Sequence, residues 1–168
     1  MTTLSIDVRP AEPQDARNIS EAHRLAWQHA YAGIIPHRAL TRMIERRGEA
    51  WWRKAVRGPA TVLVADVAGT IAGYATVGLN RARALPQEGE IYELYMRPEY
   101  QGIGLGHTLF TEAKRLLKFL ECRGVVVWCL EDSDNAVRFF RSNGGIDALE
   151  GNEDFDEVRL KKLGFIWQ

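Results

Sequence analysis

The chain has 168 residues, 46% apolar and 26% charged, with 22 Lys plus Arg balanced by 22 Asp plus Glu. At about 150 residues per domain, residues 1–168 read as a single domain with a real core. Zero formal net charge disfavours general phosphate-backbone binding, so no nucleic acid is expected as a partner.

The opening MTTLSIDVRP shows no basic region followed by an apolar stretch, so no secretory leader is expected. Residues 4 to 9 read as a short strand. Pro13 then suits the first turn of a helix, with Asp15 near its positive end. Ala16, Ile19, Ala22, Ala26 and Ala30 give that helix an apolar stripe at 3.6-residue period. YAGIIPHRAL reads as a turn into a second helix starting near Pro36. Residues 38–57 carry seven basic and two acidic side chains around Trp51 and Trp52, which are expected to pack rather than to form a platform.

TVLVADVAGTIAGYATVGL predicts a β-hairpin turning near Ala68 and Gly69. A loop with Pro86 leads to a strand over 90–96. A glycine-spaced turn follows, then a helix lined on one face by Leu105, Leu109, Ala113, Leu116, Leu117 and Leu120. VVVWCL, Val125 to Leu130, is a continuous apolar run, the mark of a strand covered on both sides. At six residues it is also the longest apolar run, far short of the roughly 20 a membrane helix needs. No membrane partner is expected. Asn135 to Asn143 reads as a helix stopped by Gly144 and Gly145. The stretch Asp147 to Glu157, with six carboxylates, reads as a solvated loop, with attraction of a cationic ligand as the alternative. Residues 157–165 are expected to form the last strand. The order β-α-α-β-β-β-α-β-α-β(β) gives a mixed α/β sheet with a β-α-β unit over 90–130. Cys122 and Cys129 form no CxxC and have no neighbouring His. That disfavours a zinc site or disulfide scaffold and fits a reducing, cytoplasmic setting. Cys129 reads as a small buried hydrophobe.

The segment running from Tyr95 to Gly106, YMRPEYQGIGLG, carries the chemistry. Gly102, Gly104 and Gly106 remove side chains where backbone N–H groups converge on a helix N-terminus. Such a site holds an anion without a basic side chain. It lacks the Gly-Lys-Ser/Thr of a P-loop, and its spacing fits a dinucleotide fingerprint poorly.

This segment resembles motif A of the GNAT N-acetyltransferases, Gln/Arg-x-x-Gly-x-Gly/Ala after a strand ending Val-x-Pro-x-Tyr/Phe. Here the match is Gln101, Gly104 and Gly106, preceded by Met96, Pro98 and Tyr100. Ala136 to Gly144, AVRFFRSNG, resembles the family's Asn-x-x-Ala-x-x-Phe/Leu-Tyr-x-x-x-Gly-Phe. The resemblance implies a mostly antiparallel central sheet flanked by helices, with a β-α-β core that binds acetyl-CoA and needs no metal. It implies pyrophosphate on the amides of Gln101, Gly102, Ile103, Gly104, Leu105, Gly106 and His107. The pantetheine arm would bond the backbone of Leu94, Tyr95 and Met96 like an added strand. Ser133, with Asn135 two residues on, stands where the family has Asn, and Phe140 stands where it has a Tyr assigned to protonate the thiolate. Tyr92 or Tyr95 is the candidate substitute hydroxyl.

The implied activity is transfer of acetyl from acetyl-CoA to a primary amine in a ternary complex. A non-catalytic acyl-CoA-binding regulatory module is the alternative. A homodimer is compatible with either. A lysine-like amine of pKa about 10.4 costs on the order of 4.6 kcal/mol to deprotonate at pH 7, and an α-amine about 1. A carboxylate base is therefore expected, and Glu90 and Glu93 lie on the strand running towards the thioester. Regular alternation puts them on opposite faces, whereas one bulge between them puts both on the same face. His23, His29 and Tyr31 are weighed as the border of an acceptor pocket against surface or packing roles.

Overall fold

The computed structural model describes residues 5–168, so the predicted first strand is seen from Ser5 onward, and Leu4 and the residues before it lie outside the described residues. The order is β1 (Ile6–Pro10), α1 (Ala16–Tyr31), α2 (His37–Arg46), α3 (Glu49–Val56), β2 (Thr61–Val67), β3 (Thr70–Leu79) and β4 (Gly89–Met96). Then come α4 (Leu105–Phe119), β5 (Val125–Leu130), α5 (Asp134–Ser142), β6 (Ile146–Phe155) and β7 (Val158–Trp167). Among the described residues these strands make one sheet in the order β1-β2-β3-β4-β5-β7-β6. Every neighbouring pair is antiparallel except β4 and β5. α4 links that parallel pair, as the β-α-β expectation requires.

Helices cover both faces. On one, Leu109, Phe110, Ala113 and Leu117 of α4 pack with Leu63, Ile91, Val127 and Phe165. On the other, Ile19 and Ala22 of α1 and Trp52 of α3 pack with Val62, Val64 and Tyr74. Two covered faces explain why β2, β3 and β5 read as continuous apolar runs rather than as alternation.

Two expectations are corrected. The basic stretch 38–57 is two helices, broken where Arg47 leaves helical geometry and Gly48 caps α3. The acidic stretch is not a loop but most of strand β6, hydrogen-bonded along β7. Its carboxylates are met by basic partners. Glu150 pairs with Lys161 at 3.1 Å, Glu153 with Lys162 at 3.0 Å and Asp154 with Arg159 at 2.8 Å. Cross-strand charge pairs favour a strand that carries no apolar alternation to announce it.

His23 is fully buried, tilted against Trp27 at 4.5 Å and edge-on to Trp52 at 5.7 Å, with neither ring nitrogen hydrogen-bonded among the described residues. It is core, not a pocket border. Burial, aided by the Arg47 charge, pushes its pKa down to about 3. The unfolded chain, with an ordinary His near 6.5, therefore takes up this proton first. The residue's contribution is full above about pH 6.5 and is lost as the pH falls towards 3. In urea titrations between pH 6.5 and 5, His23→Leu is expected to flatten the acid-side loss of stability by about 1.4 kcal/mol per pH unit. An unchanged slope would show that His23 does not titrate across unfolding.

Candidate functional site: a cleft where two strands part

β4 pairs with β5 only through Gly89–Val125, Glu90–Val126 and Ile91–Val127. Beyond Ile91 the strands separate, because β5 stays paired to β7 through Leu130 while β4 stays paired to β3 through Met96. On the β5 side, the backbone of Leu94, Tyr95 and Met96 has no strand partner among the described residues. A single turn, Pro98–Tyr100, then leads into the glycine turn and α4.

Gly104 caps α4 with φ 84°, a left-handed conformation that a side chain strains. A Cβ added there would meet no heavy atom within 4 Å, so the space before the turn is open. The first intrahelical acceptor is Gly104 itself, bonded by the Thr108 N–H at 3.1 Å, which among the described residues leaves the amides of residues 102–107 free for an anion. The Gln101 N–H, expected to join them, instead donates to the Pro98 carbonyl at 3.2 Å. Gly106 serves packing: a Cβ there would stand 3.4 Å from the Phe139 ring, so its absence lets α4 approach α5.

These parts border one cleft of about 1010 Å³. Leu94, Tyr95, Met96, Gln101, Gly102, Gly104, Gly106 and His107 line it, opposite Ser133, Asn135 and Phe140 of the α5 region. The expected cofactor residues are thus brought together. Leu105 has its side chain buried in the core and offers only its amide, and the Ile103 side chain is 64% exposed. The Gln101 amide donates to the Met96 carbonyl at 3.2 Å, tying the turn to the end of β4. Ser133 Oγ is buried without a hydrogen-bond partner among the described residues, on the cleft wall where a bound polar group could satisfy it. His29 and Tyr31 of α1 line the cleft too. Phe140 is not in a wet setting. It is buried against Phe110, Phe165 and Trp167.

The bulge falls at Tyr92, since Thr76 pairs with Glu93 and Val77 with Ile91. Ile91, Leu94 and Met96 accordingly face α4, and Glu90 and Glu93 share the α1 face. Both carboxylates are held by arginines. Glu90, nearly fully buried, accepts from the Arg81 N–H at 3.0 Å and from its guanidinium at 2.8 Å and 3.3 Å. Glu93 accepts from Arg47 at 2.5 Å and from the Tyr74 hydroxyl at 3.0 Å, and Tyr74 in turn accepts from Trp27 Nε1 at 3.1 Å. Arg47 also stacks on Trp51, 4.6 Å from its ring centre. Sequence reading missed both arginines. Nothing in their local pattern signals a partner nine or 46 residues away.

A smaller cavity of about 180 Å³ lies beyond Tyr31, walled by Trp27, Trp128 and Phe155 with Arg81, Glu153 and Lys162. Lys162 rests 4.9 Å from the Trp128 ring centre and pairs with Glu153. Cys129 also lines this cavity, and burial pushes its thiol up to about 12, so it stays protonated. No metal-holding cluster of His, Cys, Asp or Glu occurs among the described residues, and no helix there is long and apolar enough to cross a membrane.

Residues 19–144, well over half of the chain, match the family model described as Acetyltransferase (GNAT) family. The chain belongs to this family. This GNAT chain is 28% identical to an uncharacterized N-acetyltransferase, YuaI, of Bacillus subtilis, across 96% of this chain and 92% of that protein. It is 27% identical to a spermidine N(1)-acetyltransferase of Thermoplasma acidophilum, across 95% of this chain and 98% of that one. Its fold superposes with TM-score 0.75 on the PaiA N-acetyltransferase of T. acidophilum, crystallised with coenzyme A, at 21% identity over 95% of this chain and 98% of that one. The GNAT fold expected from the two motifs is the fold observed, helices on both faces of a mostly antiparallel sheet.

Proposed function

We propose that this GNAT member transfers an acetyl group from acetyl-CoA to a primary amine of a small molecule or peptide, by direct attack within a ternary complex. One observation carries the reading. The unpaired backbone of Leu94–Met96 and the open glycine turn border the same cleft, so one ligand can bond as an added strand and seat an anion on α4. That combination suits pantetheine joined to pyrophosphate. The orphaned Ser133 hydroxyl supplies a further polar contact where the family has Asn. The coenzyme A in the PaiA structure and the N-acetyltransferase names of the relatives favour an enzyme over a regulatory module. The Thermoplasma relative makes a polyamine the first acceptor to test. Two free thiols suit a reducing, cytoplasmic setting.

In this reading Glu90 and Glu93 draw the proton of the incoming ammonium through water, from the face of β4 that carries α1. Removing a general base costs about 10² to 10⁴ in rate. The rate of Glu93→Gln or Glu90→Gln should fall accordingly, with loss of the acidic limb of the pH–rate profile. If both variants keep rate and limb, the base lies elsewhere.

The anion seat is tested separately by calorimetry with coenzyme A. Gly104→Ala adds backbone strain alone, whereas Gly104→Asp adds the same strain and a negative charge before the amides. Asp should weaken binding at least about tenfold more than Ala, on the order of 1.4 kcal/mol. Equal affinities in two folded variants would remove the pyrophosphate from this turn.

A further inference from the structure

We propose that the hydrogen-bonded hydroxyls of Tyr31 and Tyr95, both on the wall of the cofactor cleft, form a proton relay linking the attacking amine to the departing thiolate. This rests on the acetyltransferase reading above.

Tyr31, the last residue of α1, lines both cavities. Tyr95 lines the larger one, between the two residues whose backbone is free to hold the pantetheine arm. Their hydroxyls are bonded to each other, and either can donate. An aromatic frame fixes both rings: Trp27 stands 5.5 Å from each, and Tyr74 stands 5.8 Å from Tyr95. That frame is itself anchored through Tyr74 and Trp27 to Glu93. The other tyrosine hydroxyls on β3 and β4 are committed. Tyr92 donates to the Leu79 carbonyl, and Tyr74 donates to Glu93. Phe140 has none.

Acetyl transfer leaves a proton surplus on one side and a deficit on the other. Once the amine is neutral, its lone pair forms the C–N bond to the thioester carbon, and the nitrogen then carries one proton too many. When the C–S bond breaks, its electron pair stays on sulfur, which lacks one. With the amine nitrogen beside Tyr31 in the cofactor cleft and within bonding reach of the thioester along β4, the nitrogen gives its proton to the Tyr31 oxygen. Tyr31 passes its own proton to Tyr95, and Tyr95 passes its own to sulfur. The products are the amide and the free thiol, and both tyrosines end protonated. Burial holds the Tyr31 hydroxyl up at about 12 and pushes that of Tyr95 well up too, so each enters the step as a donor rather than as a phenolate.

The test uses Tyr31→Phe, Tyr95→Phe and the double variant of the full chain. Thiol release is followed at saturating acetyl-CoA with spermidine, butylamine and a tripeptide as acceptor probes. Each single variant should lose about 10²-fold in kcat with KM for acetyl-CoA and Kd for coenzyme A unchanged. The double variant should be no slower than the slower single one, because a relay fails as a unit. Wild-type kcat in Tyr31→Phe, losses that multiply in the double variant, or a change in coenzyme A affinity that accounts for the loss would overturn the relay while leaving the acetyltransferase reading intact. Wild-type protein that binds coenzyme A but releases no thiol with any probe would overturn that reading, and the relay with it.

Discussion

Three residue pairs hold β4 to β5, and the parting of the strands beyond Ile91 is what the site depends on. A parallel pair is slightly less stable per residue than an antiparallel one, and here each strand has an antiparallel partner on its other side. Separation therefore leaves neither strand unsupported. It costs a few ladder bonds, and it creates an unpaired edge inside the molecule rather than at its margin. The glycine turn then places the N-terminus of α4 at the far end of that edge. Strand edge and helix end together define a ligand that is extended along one part and anionic at the other.

The bulge at Tyr92 decides what faces this opening. One extra residue turns Glu90 and Glu93 to the same side, towards α1 and the aromatic residues around Trp27. A buried carboxylate needs its charge met, and Arg81 and Arg47 meet it. Those arginines also restrict where the carboxylates can point. Neither acid lines a cavity directly, so in the proposed reaction water carries the proton to them past Arg81, which does line one, and past Tyr74 and Trp27.

Much of this was legible in sequence for identifiable reasons. The hairpin, the amphipathic helix α4 and the glycine turn rest on local periodicity and backbone chemistry, which neighbouring residues display directly. The break at Gly48 was less visible, because polar side chains run through it without a change in composition. β6 was hidden for a related reason: its stability comes from charge pairs with β7, whereas a strand is ordinarily recognised by apolar alternation. Arg47, Arg81 and the contact between Tyr31 and Tyr95 depend on sequence separations of up to 64 residues, which no local pattern encodes. Phe140 stands on the cleft wall, and that its ring packs from there into the core depends on contacts with distant residues that no local pattern displays.

The charges of β6 have a second consequence, for the protein among its own copies. β6 is a ten-residue strand at the margin of the sheet, the kind of edge that invites pairing with another chain. Its carboxylates are balanced by Arg and Lys from β7 and the helices, and that balance holds only within one molecule. Two copies meeting along β6 would set acidic strand against acidic strand, with the compensating cations on the far side of each. The same pairs that fasten the last hairpin thus make its outer edge a poor template for aggregation.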